Sequence, residues 1–119
     1  MVKNLLNTKI LITGACGVTS RSVVRSLKKS SIFNNVRIIG TDICENPYGL
    51  YEGLYDRIYR VPFCSNPEYH NIMTSICAEE KIDAAIIIPE LEVLYWCKNQ
   101  IPVKTLLPPP LFQRNVFCH

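Results

Sequence analysis

The residues best placed to do chemistry in this chain lie in three short segments. Gly14, Ala15, Cys16 and Gly17 form a glycine turn in KILITGACGVTS, residues 9–20. Asp42 closes an apolar run, VRIIGTD, about 25 residues further on, the usual spacing of a nucleotide-binding-type α/β unit. Pro89, Glu90 and Glu92 follow a third apolar run, AAIIIP. The glycines permit a turn too tight for a Cβ and leave N–H groups at a helix N-terminus, where an anion could sit. Asp42 invites a second role, as the acid that binds a dinucleotide ribose, although a polar strand end that caps a turn is the commoner outcome. Glu90 and Glu92 could orient a substrate amine, or stabilise the N-terminus of a short helix, or both. Cys16 sits where a helix start could lower a thiol pKa, but no base partner is visible beside it, so an unreactive turn residue is expected.

The elements that must position these segments are legible in order. Thr8 to Thr13 reads as a strand and Val18 to about Ser31 as a helix, with Val23, Val24 and Leu27 on its apolar side. Asn34-Asn35 makes a turn. Val36 to Ile43 is a second strand, nearly all apolar, as buried parallel strands are. A loop over 44–54 carries Pro47, Gly49 and Gly53. Asp56 to Val61 is a short, polar strand suited to a sheet edge, ended by Pro62. Asn66-Pro67-Glu68 supplies an N-cap, a first-position proline and a first-turn acid. The helix they start runs to about Lys81, with Ile72, Ile76 and Cys77 buried. Ala84 to Ile88 is a central strand, Glu90 to Asn99 a short helix and Lys104 to Leu107 a last strand. This order predicts an α/β fold: a three-layer, open, mostly parallel, Rossmann-like sheet with helices on both faces.

Bulk properties narrow the class. The chain has 119 residues, enough for one domain with a real core, and is 48% hydrophobic and 19% charged, as soluble globular proteins are. No apolar run approaches the ~20 residues of a membrane span, and the N-terminus is too short and polar for a signal peptide, so no membrane association and a cytoplasmic location are expected. The six cysteines form no CxxC pair, and His70 and His119 lie near no ladder of cysteines, so no metal site is expected and six reduced thiols are. Net charge is +3, yet residues 1–41 hold seven bases and no acid. Arg21, Arg25, Lys28 and Lys29 share one face of the first helix. With no aromatic residue among them, a solvated face is favoured over a nucleic-acid patch.

Three longer patterns, taken together, carry a family resemblance. LITGACGVTSRSVVRSLKKS holds the glycine turn and first helix. IIGTDICENPYGLYEGLYDRIYRVP holds the acid, a GLY segment and a YRVP edge strand. NPEYHNIMTSICAEEKIDAAIIIPELEVL holds a helix, a turn, a strand and a proline followed by acids. In this order and spacing they resemble the N-terminal domain of ATP-grasp ligases, particularly those similar to the large subunit of carbamoyl phosphate synthase, over about residues 9–108.

The resemblance implies a pre-ATP-grasp domain over residues 1–107 and an exit segment at 108–119 leading toward an ATP-grasp domain. It implies an ATP-dependent ligase that activates a carboxylate as an acyl phosphate, which an amine then attacks. ATP and magnesium would be held by later domains of the same protein, none by this chain alone, which would not be catalytic by itself. The chain would pack on those domains and line the side of the cleft that takes the carboxylate or amine substrate. By position, the implied substrate-binding residues are Gly14, Ala15, Cys16, Gly17, Pro89, Glu90 and Glu92. Cys16 and Ser20 stand where that family usually has glycines, which weighs against phosphate cradling by the turn. Trp96, beside Tyr95, is expected to pack against a neighbouring domain.

Two other readings are carried forward. One is an NAD(P)-binding domain similar to extended short-chain dehydrogenases, with Asp42 as the cofactor acid. Ser20 replaces its third glycine, and its Tyr-x-x-x-Lys pair is absent. The other is an interaction module with no small ligand.

Overall fold

The computed structural model describes residues 8–44 and 53–106. Its elements, in chain order, are β1 (Lys9–Thr13), α1 (Val18–Lys29), β2 (Arg37–Asp42), β3 (Arg57–Arg60), α2 (Tyr69–Glu79), β4 (Ala84–Ile86), α3 (Glu90–Lys98) and β5 (Lys104–Leu106). The expected exit segment at 108–119, and Pro47 and Gly49 of the 44–54 loop, lie outside the described residues.

The strands form one sheet in the order β3-β2-β1-β4-β5, and each neighbouring pair is parallel. This is the expected Rossmann-like open sheet. The apolar strands β1, β2 and β4 are interior, and the polar RIYR strand β3 is at an edge. Strand alternation divides the core in two. Ile10 and Ile12 face α1, packing with Val24, Ile38 and Tyr55. Leu11, between them, faces the opposite layer, with Tyr69 and Met73 of α2 and Val93 and Trp96 of α3.

Three local departures from the sequence expectation have physical causes. β4 ends at Ile86 rather than Ile88, because the Ile88 amide donates to the Thr13 side chain (3.1 Å) instead of continuing a ladder. α2 starts at Tyr69, because the Asn66 signal first closes a turn: its Oδ1 accepts the Glu68 amide (2.8 Å) and its carbonyl the Tyr69 amide (3.0 Å). The same helix stops at Glu79, and Lys81 adopts the left-handed conformation (φ 57°) that lets the Ile82 amide reach back to the Cys77 carbonyl.

The cysteines also depart from expectation. Cys16, Cys44, Cys64 and Cys77 are reduced thiols. Cys97 is disulfide-bonded, which corrects the expectation of six reduced thiols. Burial pushes the Cys77 thiol up to about 11, so it behaves as an apolar core residue. Among the described residues no helix is long and apolar enough to cross a membrane.

Gly40, in the middle of β2, packs tightly against the glycine turn. A Cβ there would lie 2.7 Å from the Ala15 Cβ and 2.9 Å from the Tyr55 ring. Neither can yield readily: Ala15 is fully buried, and the Tyr55 hydroxyl donates to the Ala15 carbonyl (2.9 Å). Gly40→Ala is therefore expected to lose about 1–3 kcal/mol, an overpacking penalty measurable by urea denaturation.

Candidate functional site

In an open parallel sheet a crevice opens at the carboxyl ends of the strands where the strand order reverses. Here that point lies between β1 and β4, which are neighbours but lead to helices on opposite faces. Gly14 leaves β1 with φ 64°, and a Cβ on it would lie 2.6 Å from Pro89 Cγ. Two further contacts fasten the strand end: the Ser20 hydroxyl donates to the Thr13 carbonyl (2.9 Å), and the Ile88 amide donates to Thr13 Oγ1 (3.1 Å). Ser20, in the place of a third glycine, thus ties α1 back to β1 from within the core, and its burial is complete.

The amides of Ala15, Cys16 and Gly17 are all engaged internally. Ala15 N–H donates to the Thr41 carbonyl (2.9 Å) and Gly17 N–H to the Gly14 carbonyl (2.9 Å). Cys16 N–H donates to Asp42 Oδ2 (2.8 Å), while Asp42 Oδ1 accepts the Cys44 amide (2.9 Å). Asp42 is therefore a cap for two loops at once. Residues 15–17 have no amide to offer a phosphate, and both Asp42 oxygens are bound to backbone rather than turned to a ribose. At residues 15–17 and Asp42 the groups that would hold a dinucleotide are already taken by the protein.

The other wall is the first turn of α3, which carries Glu90 and Glu92 after a Pro89 cap. Glu90 is exposed, whereas Glu92 is half-buried. Tyr69, at the start of α2 and fully buried, donates its hydroxyl proton to Glu92 Oε1 and accepts the Trp96 indole N–H (3.0 Å). Burial pushes the Glu92 carboxyl above the usual range, the Tyr69 bond pulls it back, and the charge of Asp42 adds to the rise. Burial, then Glu92, pushes the Tyr69 phenol up in turn, so it remains a proton donor.

Between these walls lies a cavity of about 520 Å³ lined by Gly14, Gly17, Asp42, Pro89, Glu90 and Glu92, with Cys64 from the segment after β3. Its charged lining among the described residues is three acids and no base. Four large apolar side chains stand exposed around it: Val18 (72%), Ile43 (44%), Phe63 (60%) and Leu91 (63%). Such a concentration around one opening is unusual on a monomer surface.

The structure thus brings together six of the residues singled out in the sequence: Gly14, Gly17, Asp42, Pro89, Glu90 and Glu92. Ala15 is packed against Gly40 and Cys16 lies outside the lining. Trp96 is a correction: it is 7% exposed and sits in the core bonded to Tyr69, so it does not face a neighbouring domain. Sequence reasoning missed Tyr69, whose partner is 23 residues away. One signal was present, since Glu92 and Trp96 stand at i and i+4 on one face of α3. It also missed Val18, Ile43, Phe63 and Leu91, to which it assigned no role. Among the described residues no group of three or more His, Cys, Asp or Glu could hold a metal ion.

A family model described as the PylC-like N-terminal domain matches residues 10–105, most of the chain. No curated protein matches it at a significant level. The engaged amides at 15–17 and the tied Asp42 yield a prediction. Calorimetry of this chain with ATP and with NAD is expected to show no micromolar binding of either. Micromolar NAD binding would instead favour the oxidoreductase reading.

Proposed function

The chain belongs to the PylC-like N-terminal domain family, one of the pre-ATP-grasp domains of ATP-grasp ligases, and on that premise we propose that it is the substrate-side domain of an ATP-dependent carboxylate–amine ligase resembling the large subunit of carbamoyl phosphate synthase. A domain of this type works with other domains of the same protein. In this reading ATP and magnesium are held by those other domains, where the nucleotide activates a carboxylate. The present chain supplies one wall of the substrate cleft and no step of phosphoryl transfer.

One observation carries the reading: the cavity at the strand-order reversal has three acids and no base in its described lining. Such a site attracts a cation and repels a carboxylate. The amine partner, as its ammonium ion, is therefore the group assigned to this wall, with Glu92 as its anchor and Glu90 nearer the mouth. The exposed Val18, Ile43, Phe63 and Leu91 around the opening support coverage by another domain, which would exclude water from the site and strengthen each charge interaction inside it.

Glu92 also separates this reading from a purely structural one. A carboxylate whose pKa is raised in the folded state is penalised when ionised. That penalty is present above the raised pKa and relieved as pH falls through it. Glu92→Gln should then leave stability unchanged or raise it at neutral pH, since the amide oxygen can still accept the Tyr69 proton. A residue that served only the helix N-terminus would instead lose ~0.3–1 kcal/mol on neutralisation. In the full-length ligase, Glu92→Gln is expected to raise KM for the amine at least about tenfold, the loss of one charge-assisted hydrogen bond, with KM for ATP unchanged and Tm not lowered. Unchanged amine kinetics together with a lowered Tm would overturn the assignment.

A further inference from the structure

We propose that Tyr69 is a positioning residue: its hydroxyl, itself fixed by the Trp96 indole, aims the Glu92 carboxylate at the cavity and so sets how tightly the site holds a primary ammonium group. The inference rests on the proposed role of Glu92 as the amine anchor. It adds a residue outside the cavity lining, from a different helix, and a direction of pH dependence.

What each group can donate fixes the direction of the hydrogen-bond chain. An indole N–H donates and cannot accept, so in the Trp96–Tyr69 bond the phenol oxygen must be the acceptor. The phenol has one proton, and it is directed to Glu92 Oε1. The polarity of the chain is therefore fixed from the core outward: Trp96 to Tyr69 to Glu92. Both donors are rigid. Tyr69 is fully buried, packed edge-on against the Tyr95 ring at 4.9 Å, and Trp96 is 7% exposed. The flexible member is Glu92, whose side chain would otherwise choose among rotamers. With Oε1 held, the carboxylate lies in one orientation, and Oε2 is the oxygen left for a ligand cation.

The surroundings make this bond the decisive one. Asp42 at the end of β2 carries like charge, Cys64 after β3 has a thiol that burial and Glu92 push up, Tyr69 approaches from α2, and Glu90 and Tyr95 share α3 with Glu92. No base lines the cavity among the described residues. Burial and Asp42 both favour the protonated form of Glu92, and the Tyr69 hydroxyl is the contact that favours the carboxylate. Removing it leaves a carboxylic acid that is both mobile and protonated at higher pH. An acid in that state holds no ammonium ion.

The test uses calorimetry of the full-length ligase with n-pentylamine, repeated across pH, and 1-pentanol as the neutral control. Wild type is expected to bind the amine and not the alcohol, with affinity falling on the acid side. Tyr69→Phe keeps the buried ring and should weaken the amine about tenfold at neutral pH, the scale of a hydrogen bond to a charged group, and move the acid limb to higher pH. Trp96→Phe should do the same to a smaller degree, and serves if Tyr69→Phe does not fold. A structural role alone would lower Tm and leave the acid limb in place. If Glu92→Gln abolishes amine binding while Tyr69→Phe and Trp96→Phe bind as wild type with an unmoved limb, the Tyr69 proposal is overturned and the Glu92 assignment stands. If Glu92→Gln binds the amine as wild type does, both are overturned.

Discussion

The approach of Gly14 to Pro89 is the constraint on which the site depends. β1 and β4 lie side by side in the sheet, and the segments leaving them must part toward opposite helical layers. Their closest point leaves 2.6 Å for a Cβ that is not there, and the turn needs a positive φ at the same residue. Any side chain at position 14 would have to push the two segments apart. That would break the Thr13 hydroxyl's bond from Ile88 and change the spacing of the cavity walls. The glycine is thus required by packing across the switch point. This differs from the usual reason for a glycine after a first strand, which is to let a pyrophosphate reach the backbone.

The same replacement of ligand by protein recurs around the turn. Asp42 offers a carboxylate where a phosphate or ribose could be, and takes the Cys16 amide with it. Ser20 fills the space of a third glycine with a hydroxyl bonded to Thr13. Ala15 points into the core against Gly40 and under Tyr55. These contacts tie residues 13–17 to β2, to α1 and to Tyr55, so the turn forms a floor held by the protein's own hydrogen bonds. A floor of this kind can position the opposite wall without binding a nucleotide itself.

The fold was legible because its signals are local and redundant. Three unbroken apolar runs and one polar run were enough to put β1, β2 and β4 inside the sheet and β3 at its edge. The Gly14–Gly17 turn and the Pro89–Glu92 segment were legible as neighbours because the topology of a parallel sheet dictates which strand ends meet. What could not be read was set by contacts between distant residues. Tyr69 looked like one more residue at a helix start, since nothing in Pro67-Glu68-Tyr69 announces a partner on α3. Trp96 was read outward because a lone tryptophan beside a tyrosine suits an interface, whereas the indole finds its acceptor on Tyr69 in the core. The exposure of Val18, Ile43, Phe63 and Leu91 was not legible either. Apolar side chains in or beside apolar elements look buried until the tertiary structure shows that nothing among the described residues covers them.

Among the described residues two carboxylates accept a tyrosine proton, and the contrast between them bears on the proposed role of Glu92. Glu80, at the end of α2, takes the Tyr59 hydroxyl and is also paired with Lys9 at 3.1 Å and Arg57 at 3.5 Å. The Tyr59 bond, with Lys9 and Arg57 behind it, holds that carboxyl below the usual range. Its charge is answered by the protein, and its work is to join α2 to the amino-terminal start of β1 and to the edge strand β3. Glu92 takes the Tyr69 hydroxyl in the same manner, but the charge beside it is Asp42, of the same sign, and its carboxyl is pushed the other way. A half-buried carboxylate with no base beside it among the described residues is a weak choice for a purely structural position, where an apolar side chain would serve better. At the amino end of the sheet Glu80 is paired with Lys9 and Arg57, whereas at the carboxyl end no base lines the cavity among the described residues. In the proposed reading a substrate ammonium ion is the cation that answers Glu92.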